Sequence, residues 1–152
     1  MEPVRRILGV DYGRRRVGIA VSDPLGIIAR GVTVLERTGT LAADICRIAA
    51  EFDAVTVVVG MPLTLRGEKG AIALEVEEFI ATLGRTCGLS VVAIDERFTS
   101  ATARSTQLEM GVPMKKRRVK SDIDRMAAAL ILQDYLDHRS AADTAPQHPP
   151  VP

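Results

Sequence analysis

Two short apolar runs near the start of the chain, Ile7 to Asp11 and Val17 to Val21, are separated only by Tyr12-Gly13-Arg14-Arg15-Arg16. A parallel crossover needs a dozen or more connecting residues, so these runs pair as an antiparallel hairpin with a longer loop. Gly31 to Glu36 reads as a third strand. Leu41, Ile45, Ile48, Ala49 and Phe52 then recur at the spacing of a helix with one apolar face. Ala54 to Val59 is a β-branched fourth strand, stopped by the turn Gly60-Met61-Pro62. Beyond a loop through Gly67 and Gly70, the positions Ile72, Val76, Phe79, Ile80 and Leu83 mark a second helix, and Ser90 to Asp95 a fifth strand. Thr99 to Met110 reads as helical, ending before Gly111 and Pro113, and Ser121 starts a last helix that runs to about His138.

Because helices separate strands 3, 4 and 5, those strands are expected to run parallel, while strands 1 and 2 form the hairpin. The fold class is therefore α/β: a five-stranded mixed sheet flanked by helices. A chain of 152 residues, 47% of them hydrophobic, is sized for one core, and a single domain is assigned to residues 1–139. From Ser140 the chain is rich in alanine and polar residues, with four prolines among residues 146–152, and reads as a disordered tail.

Several classes of function are disfavoured. The longest apolar run, Met126 to Leu132, is far too short to span a membrane, and Asp11 interrupts the early apolar stretch where a secretory leader would continue. Cys46 and Cys87 lie far apart with no CxxC pattern, which argues for a reducing cytoplasm rather than a disulfide scaffold. The only histidines, His138 and His148, fall at or beyond the end of the last helix, so a histidine base or a Cys/His zinc site has little to draw on. Chemistry is left mainly to carboxylates.

In sheets with parallel strands, sites form beyond the carboxyl ends of those strands. Asp11 ends strand 1, Asp95 and Glu96 end strand 5, and Asp124 lies in the first turn expected for the last helix. Carboxylates held together repel one another, and a hard cation with oxygen ligands relieves that repulsion. Magnesium suits the set, because it needs one or two carboxylates per ion and takes its remaining ligands from water and substrate phosphate. Two such ions can support phosphodiester cleavage without a histidine. Plainer roles are open to each acid: Asp11 as a turn residue before Gly13, Asp95 as a strand end, and Glu96 as a surface partner of Arg97 or Arg125. Asp124 has the strongest alternative, since Ser121-Asp122-Ile123-Asp124 fits a capping box.

The net charge of +1 conceals segregation: residues 97–120 hold seven basic side chains and one acid. Lys115, Lys116, Arg117, Arg118 and Lys120 precede Asp124 in an expected loop, and Arg14, Arg15 and Arg16 follow Asp11. Each cluster places positive charge beside a candidate ligand, where a nucleic-acid backbone would pass. With aromatics at 3% and no tryptophan, phosphate contact rather than base stacking is the expected source of affinity.

Four segments carry a family resemblance: Leu8-Gly-Val-Asp-Tyr-Gly-Arg-Arg-Arg-Val-Gly-Ile-Ala-Val-Ser22; Val59-Gly-Met-Pro-Leu63 followed by Gly67; Asp95-Glu-Arg-Phe-Thr-Ser100; and Ile123-Asp-Arg-Met-Ala-Ala128 with Ile131-Leu132. In this order and spacing, from about Arg6 to Leu136, the chain resembles the YqgF family of bacterial pre-16S ribosomal RNA nucleases, also described as Holliday-junction-resolvase-like. The resemblance implies an RNase H-like fold and a magnesium- or manganese-dependent nuclease. Its three acidic positions fall on Asp11, Glu96 and Asp124. Asp95 and Arg97 match the flanks of the family's acid-Glu-Arg motif in supporting roles. Asp122 stands where the family often has a basic or small residue, adding a fourth acid near the expected metal. The implied substrate is precursor ribosomal RNA, with branched DNA as the alternative, in the cytoplasm, for a monomer or a homodimer.

Two other classes compete. The strand-Asp-x-Gly hairpin also resembles the phosphate-binding hairpin of actin-like and sugar-kinase-like ATPases, but those close two domains around a nucleotide and carry a second such hairpin. A catalytically silent nucleic-acid-binding module would use the basic residues alone.

Overall fold

The computed structural model describes residues 5–13, 15–61, 70–95 and 117–144, the last segment with side chains for residues 122–139. Its strands are β1 (Arg6–Tyr12), β2 (Arg16–Ser22), β3 (Ala29–Glu36), β4 (Ala54–Met61) and β5 (Ser90–Asp95). Its helices are α1 (Leu41–Glu51), α2 (Ala71–Cys87) and α3 (Arg117–Thr144). The strands form one mixed sheet in the order β3-β2-β1-β4-β5. β1 and β2 pair antiparallel as the sequence predicts, closed by the Gly13 amide donating to the Arg16 carbonyl at 3.0 Å. β4 pairs parallel with both β1 and β5. β3 shares the direction of β4 without being its neighbour, because it folds back antiparallel on β2 and takes the sheet edge.

The sheet buries both faces, and each strand divides its residues between them by alternation. Leu8, Val10, Val17, Ile19, Val21, Val57 and Val59 pack under α1 and α2, where Ile45, Val76 and Leu83 complete the larger core cluster. Ile7, Ala20 and Val58 face α3 and meet Ala128, Ile131, Leu132 and Leu136. Gln133 fixes α3 to the β2–β3 turn. Its amide donates to the Ile27 carbonyl, and its carbonyl accepts from the Ala29 amide, both at 2.9 Å.

Three expectations need correction. The cysteines are joined: Cys46 of α1 and Cys87 of α2 form a disulfide with Cα atoms 5.2 Å apart across a sequence separation of 41. Side-by-side packing of the two helices makes neighbours of residues that no local motif connects. α3 begins at Arg117, four residues before the predicted start, because Arg117-Arg118-Val119-Lys120 contains good helix formers that continue the turn upstream. Ser121 therefore lies inside the helix, and the capping box at Ser121–Asp124 does not exist as such; Arg117, Arg118 and Lys120 are helical rather than in a loop. At the other end α3 continues through alanines to Thr144, past the tail boundary expected at Ser140. The helix predicted over Thr99 to Met110 lies outside the described residues. No helix among the described residues is long and apolar enough to cross a membrane.

Candidate metal and nucleic-acid site

Asp11 is the penultimate residue of β1 and lies directly opposite Gly18 in the β1–β2 register. Paired residues of an antiparallel ladder present their side chains to the same face, which here is the α3 face, since Ile7 and Gly9 of the same strand also turn toward α3. Gly18 is where α3 comes closest. A Cβ on Gly18 would stand 2.2 Å from the carbonyl oxygen of Asp124, a Cβ on Gly9 2.7 Å from the Leu132 Cβ, and one on Gly31 2.9 Å from the Arg125 Cβ. Glycines on three adjacent strands thus form a track on which the helix backbone lies almost directly. The track lays the Asp124 backbone on Gly18, the register partner of Asp11, at the end of the sheet where β1 and β4 terminate.

Asp124 is held there by charge as well as by contact. Its Oδ2 lies 3.0 Å from Arg16 Nε, with the side chains 22% and 32% exposed respectively. The contact is an ion pair rather than an aligned hydrogen bond, and that oxygen is shielded from solvent. Arg16 leads β2, where alternation places it on the same face as Gly18 and Ala20. Arg15, next to it, is exposed, and its carbonyl accepts from the Arg37 amide at 3.1 Å.

The two additional acids behave differently. Asp122 is 55% exposed and paired with Arg125, one turn along the helix. At about 100° per residue it stands some 200° around the helix axis from Asp124, on another side. Asp95 pairs in register with Met61, a residue of the α1–α2 core, so strand alternation assigns it to the face opposite Asp11. Ile94, by contrast, packs with the α3 cluster. Glu96 and Arg97 lie outside the described residues, as do Arg14, Lys115 and Lys116; Arg117, Arg118 and Lys120 are placed by their backbone in the first turn of α3. Among the described residues no cluster of three or more His, Cys, Asp or Glu could hold a metal ion.

A cavity of about 330 Å³ lies on the other face of the sheet, lined by Tyr12, Arg37, Glu75, Phe79 and Thr82 among others. The Arg37 guanidinium sits 4.6 Å from the Tyr12 ring centre and pairs with Glu75 at 3.3 Å. Burial pushes the Tyr12 phenol above its usual range. None of the candidate acids lines this cavity, and it is not the site. The feature missed from the sequence is the glycine track: Gly9, Gly18 and Gly31 each interrupt a strand, the pattern of a close backbone approach.

Comparisons with known proteins bear on the fold and the family. The family described as RuvX: Holliday junction resolvase matches residues 5–138. A Chloroflexus aggregans protein named "Putative pre-16S rRNA nuclease" is 42% identical over 138 residues, covering 88% of this chain and 94% of the relative. A Ruminiclostridium cellulolyticum protein of the same name is 36% identical over 135 residues, covering 87% and 94%. Among solved structures, Thermus thermophilus RuvC in complex with a Holliday junction substrate superposes with a TM-score of 0.57 at 16% identity, covering 90% of this chain and 96% of RuvC. The fowlpox virus Holliday junction resolvase gives 0.51 at 14% identity, covering 88% and 99%. These two likenesses establish the resolvase-type, RNase H-like fold. By sequence, the chain belongs to the RuvX family, also known as YqgF.

Proposed function

We propose that this protein is a metal-dependent nuclease that hydrolyses phosphodiester bonds during maturation of the 16S ribosomal RNA precursor. The observation that supports the reading is that Gly18, the register partner of Asp11, carries the Asp124 backbone at the end of the sheet where the parallel strands finish. Glu96 is proposed as the third acid; the residue two before it, Ile94, faces α3 as Asp11 does. Asp95 and Asp122 stand apart from this set. The donor chemistry fits a hard divalent ion, because the oxygens offered are carboxylates. The cysteines are tied up with each other, and His138 is engaged with the Asp134 carbonyl at 2.7 Å. Asp11, Glu96 and Asp124 would hold Mg²⁺ or Mn²⁺, which when bound supplies activation of water and stabilisation of the departing oxygen. Exposed Arg15, together with Arg14, Arg97, Lys115, Lys116, Arg117, Arg118 and Lys120, is proposed to contact backbone phosphates. The reading takes residues 1–139 as one nuclease domain acting in the cytoplasm, a compartment inferred from the substrate and not from the cysteines.

The relatives' shared name favours ribosomal RNA, and the family description favours four-way DNA as the second reading. The test is incubation of purified protein with precursor 16S RNA, single-stranded RNA and four-way DNA junctions in Mg²⁺, Mn²⁺ or EDTA. Cleavage of precursor RNA that EDTA abolishes is expected. Cleavage confined to junctions would select the resolvase reading, and binding without cleavage of any substrate would reduce the protein to a binding module.

A further inference from the structure

Arg16 was expected to meet the substrate, yet its guanidinium is turned onto Asp124, with Nε 3.0 Å from Oδ2. We propose that Arg16 is a positioning residue and an internal counter-cation, holding the Asp124 carboxylate in the site before metal loading and competing with a divalent ion for Oδ2. The inference rests on the reading of Asp124 as a metal ligand.

Three observations support it. The glycine track presses the Asp124 backbone against Gly18, so the carboxylate cannot retreat by moving the helix. A shielded carboxylate oxygen needs a positive partner, and Arg16 supplies one without leaving its own strand. Arg16 also begins β2 two residues before Gly18, so the strand that receives the helix also carries the cation. Asp122, exposed and on another side of the helix, has its own partner in Arg125 and is not served by Arg16. One carboxylate oxygen cannot give its full electrostatic attraction to both a guanidinium and a divalent ion. Occupation by metal therefore carries the energy of parting from Arg16, and removing Arg16 should strengthen metal binding. Damage to the fold would have the opposite sign, which separates this role from a merely structural one.

The experiment is Mn²⁺ titration of the substrate-free protein, with free Mn²⁺ followed by electron paramagnetic resonance, for wild type, Arg16→Gln, Arg16→Lys, Asp124→Asn and the double variant Arg16→Gln/Asp124→Asn. A partly exposed ion pair implies roughly fivefold tighter Mn²⁺ binding in Arg16→Gln. Arg16→Lys, which keeps the charge, should remain close to wild type and guards against misfolding of the glutamine variant. In the double variant the gain should vanish, because the competition requires both partners. If Asp124→Asn weakens binding but neither Arg16 variant tightens it, the counter-cation role is wrong and the ligand assignment stands. If Asp124→Asn leaves Mn²⁺ affinity unchanged, the ligand reading itself fails.

Discussion

The two faces of the sheet are built from the same strands on opposite principles. Toward α1 and α2 the alternating positions are large and branched, among them Leu8, Val10, Ile19, Val57 and Val59, and they keep the helices at ordinary side-chain distance. A disulfide then joins those helices to each other. Toward α3 the strands offer Ile7, Gly9, Asp11, Gly18, Ala20 and Gly31, and the helix backbone sinks onto the glycines. The first face carries the larger core cluster. The second trades apolar burial for close approach, and in doing so lays the Asp124 backbone on Gly18, the register partner of Asp11. Mutations should therefore separate: changes toward α1 and α2 should move melting far more than cleavage, and changes on the glycine track should move both.

The largest combined effect on stability and cleavage is expected at Gly18. Valine there would place its Cβ 2.2 Å from the Asp124 carbonyl oxygen, and only backbone can yield. Overpacking of this kind costs about 1–3 kcal/mol, and displacing Asp124 by about 1 Å should cut cleavage roughly 100-fold. Gly39→Ala is the matched control, since nothing lies within 4 Å of its would-be Cβ. Denaturation curves and cleavage rates of the two variants check this; a Gly18→Val protein with normal activity would separate the track from the site.

Next comes the covalent tie on the other face. Cys46→Ser opens a loop spanning a sequence separation of 41. The expected loss of stability is about 2–4 kcal/mol, with cleavage unchanged well below the melting temperature. Melting with and without dithiothreitol should reproduce it in the wild-type protein. A loss of cleavage without a loss of stability would break the contrast between the faces.

The smallest effect distinguishes a helix start from a helix interior. As an N-cap, Ser121 would lose about 1 kcal/mol on replacement by alanine. Inside α3, Ser121→Ala should be neutral or stabilising by up to about 0.5 kcal/mol, measured by urea denaturation.

What the sequence made legible follows from the range of the forces involved. β5 appears with the predicted bounds Ser90–Asp95, and the hairpin follows from a gap too short for anything else. Those are local constraints. The edge position of β3 was not legible, since pairing with β2 rather than β4 is decided by the whole sheet. The start of α3 was misread because a serine followed by acids imitates a cap, whereas the basic stretch before it has the propensity to continue the helix. The Cys46–Cys87 bond depends on the packing of two helices far apart in sequence. Of the candidate acids, Asp11 and Asp124 were recognisable by strand end and family motif. Why the last helix lies so close to the strand that pairs with Asp11 was written in Gly9, Gly18 and Gly31, residues with no chemistry of their own. The partnership of Arg16 with Asp124 was hidden for the same reason, because its position between two other arginines suggested only surface charge.

The central claim is that Asp11 and Asp124 act on one divalent-ion site, and the most direct measurement compares Asp11→Asn with Asp122→Asn. Both substitutions remove one negative charge and keep side-chain size, but only the first touches the converged face. With precursor 16S RNA in Mg²⁺, Asp11→Asn should lose cleavage by orders of magnitude while melting at or above the wild-type temperature, because one source of carboxylate repulsion is gone. Asp122→Asn, whose carboxylate is exposed and paired with Arg125, should cleave at close to the wild-type rate. Near-normal cleavage by Asp11→Asn, or equal losses in the two variants, would contradict the account.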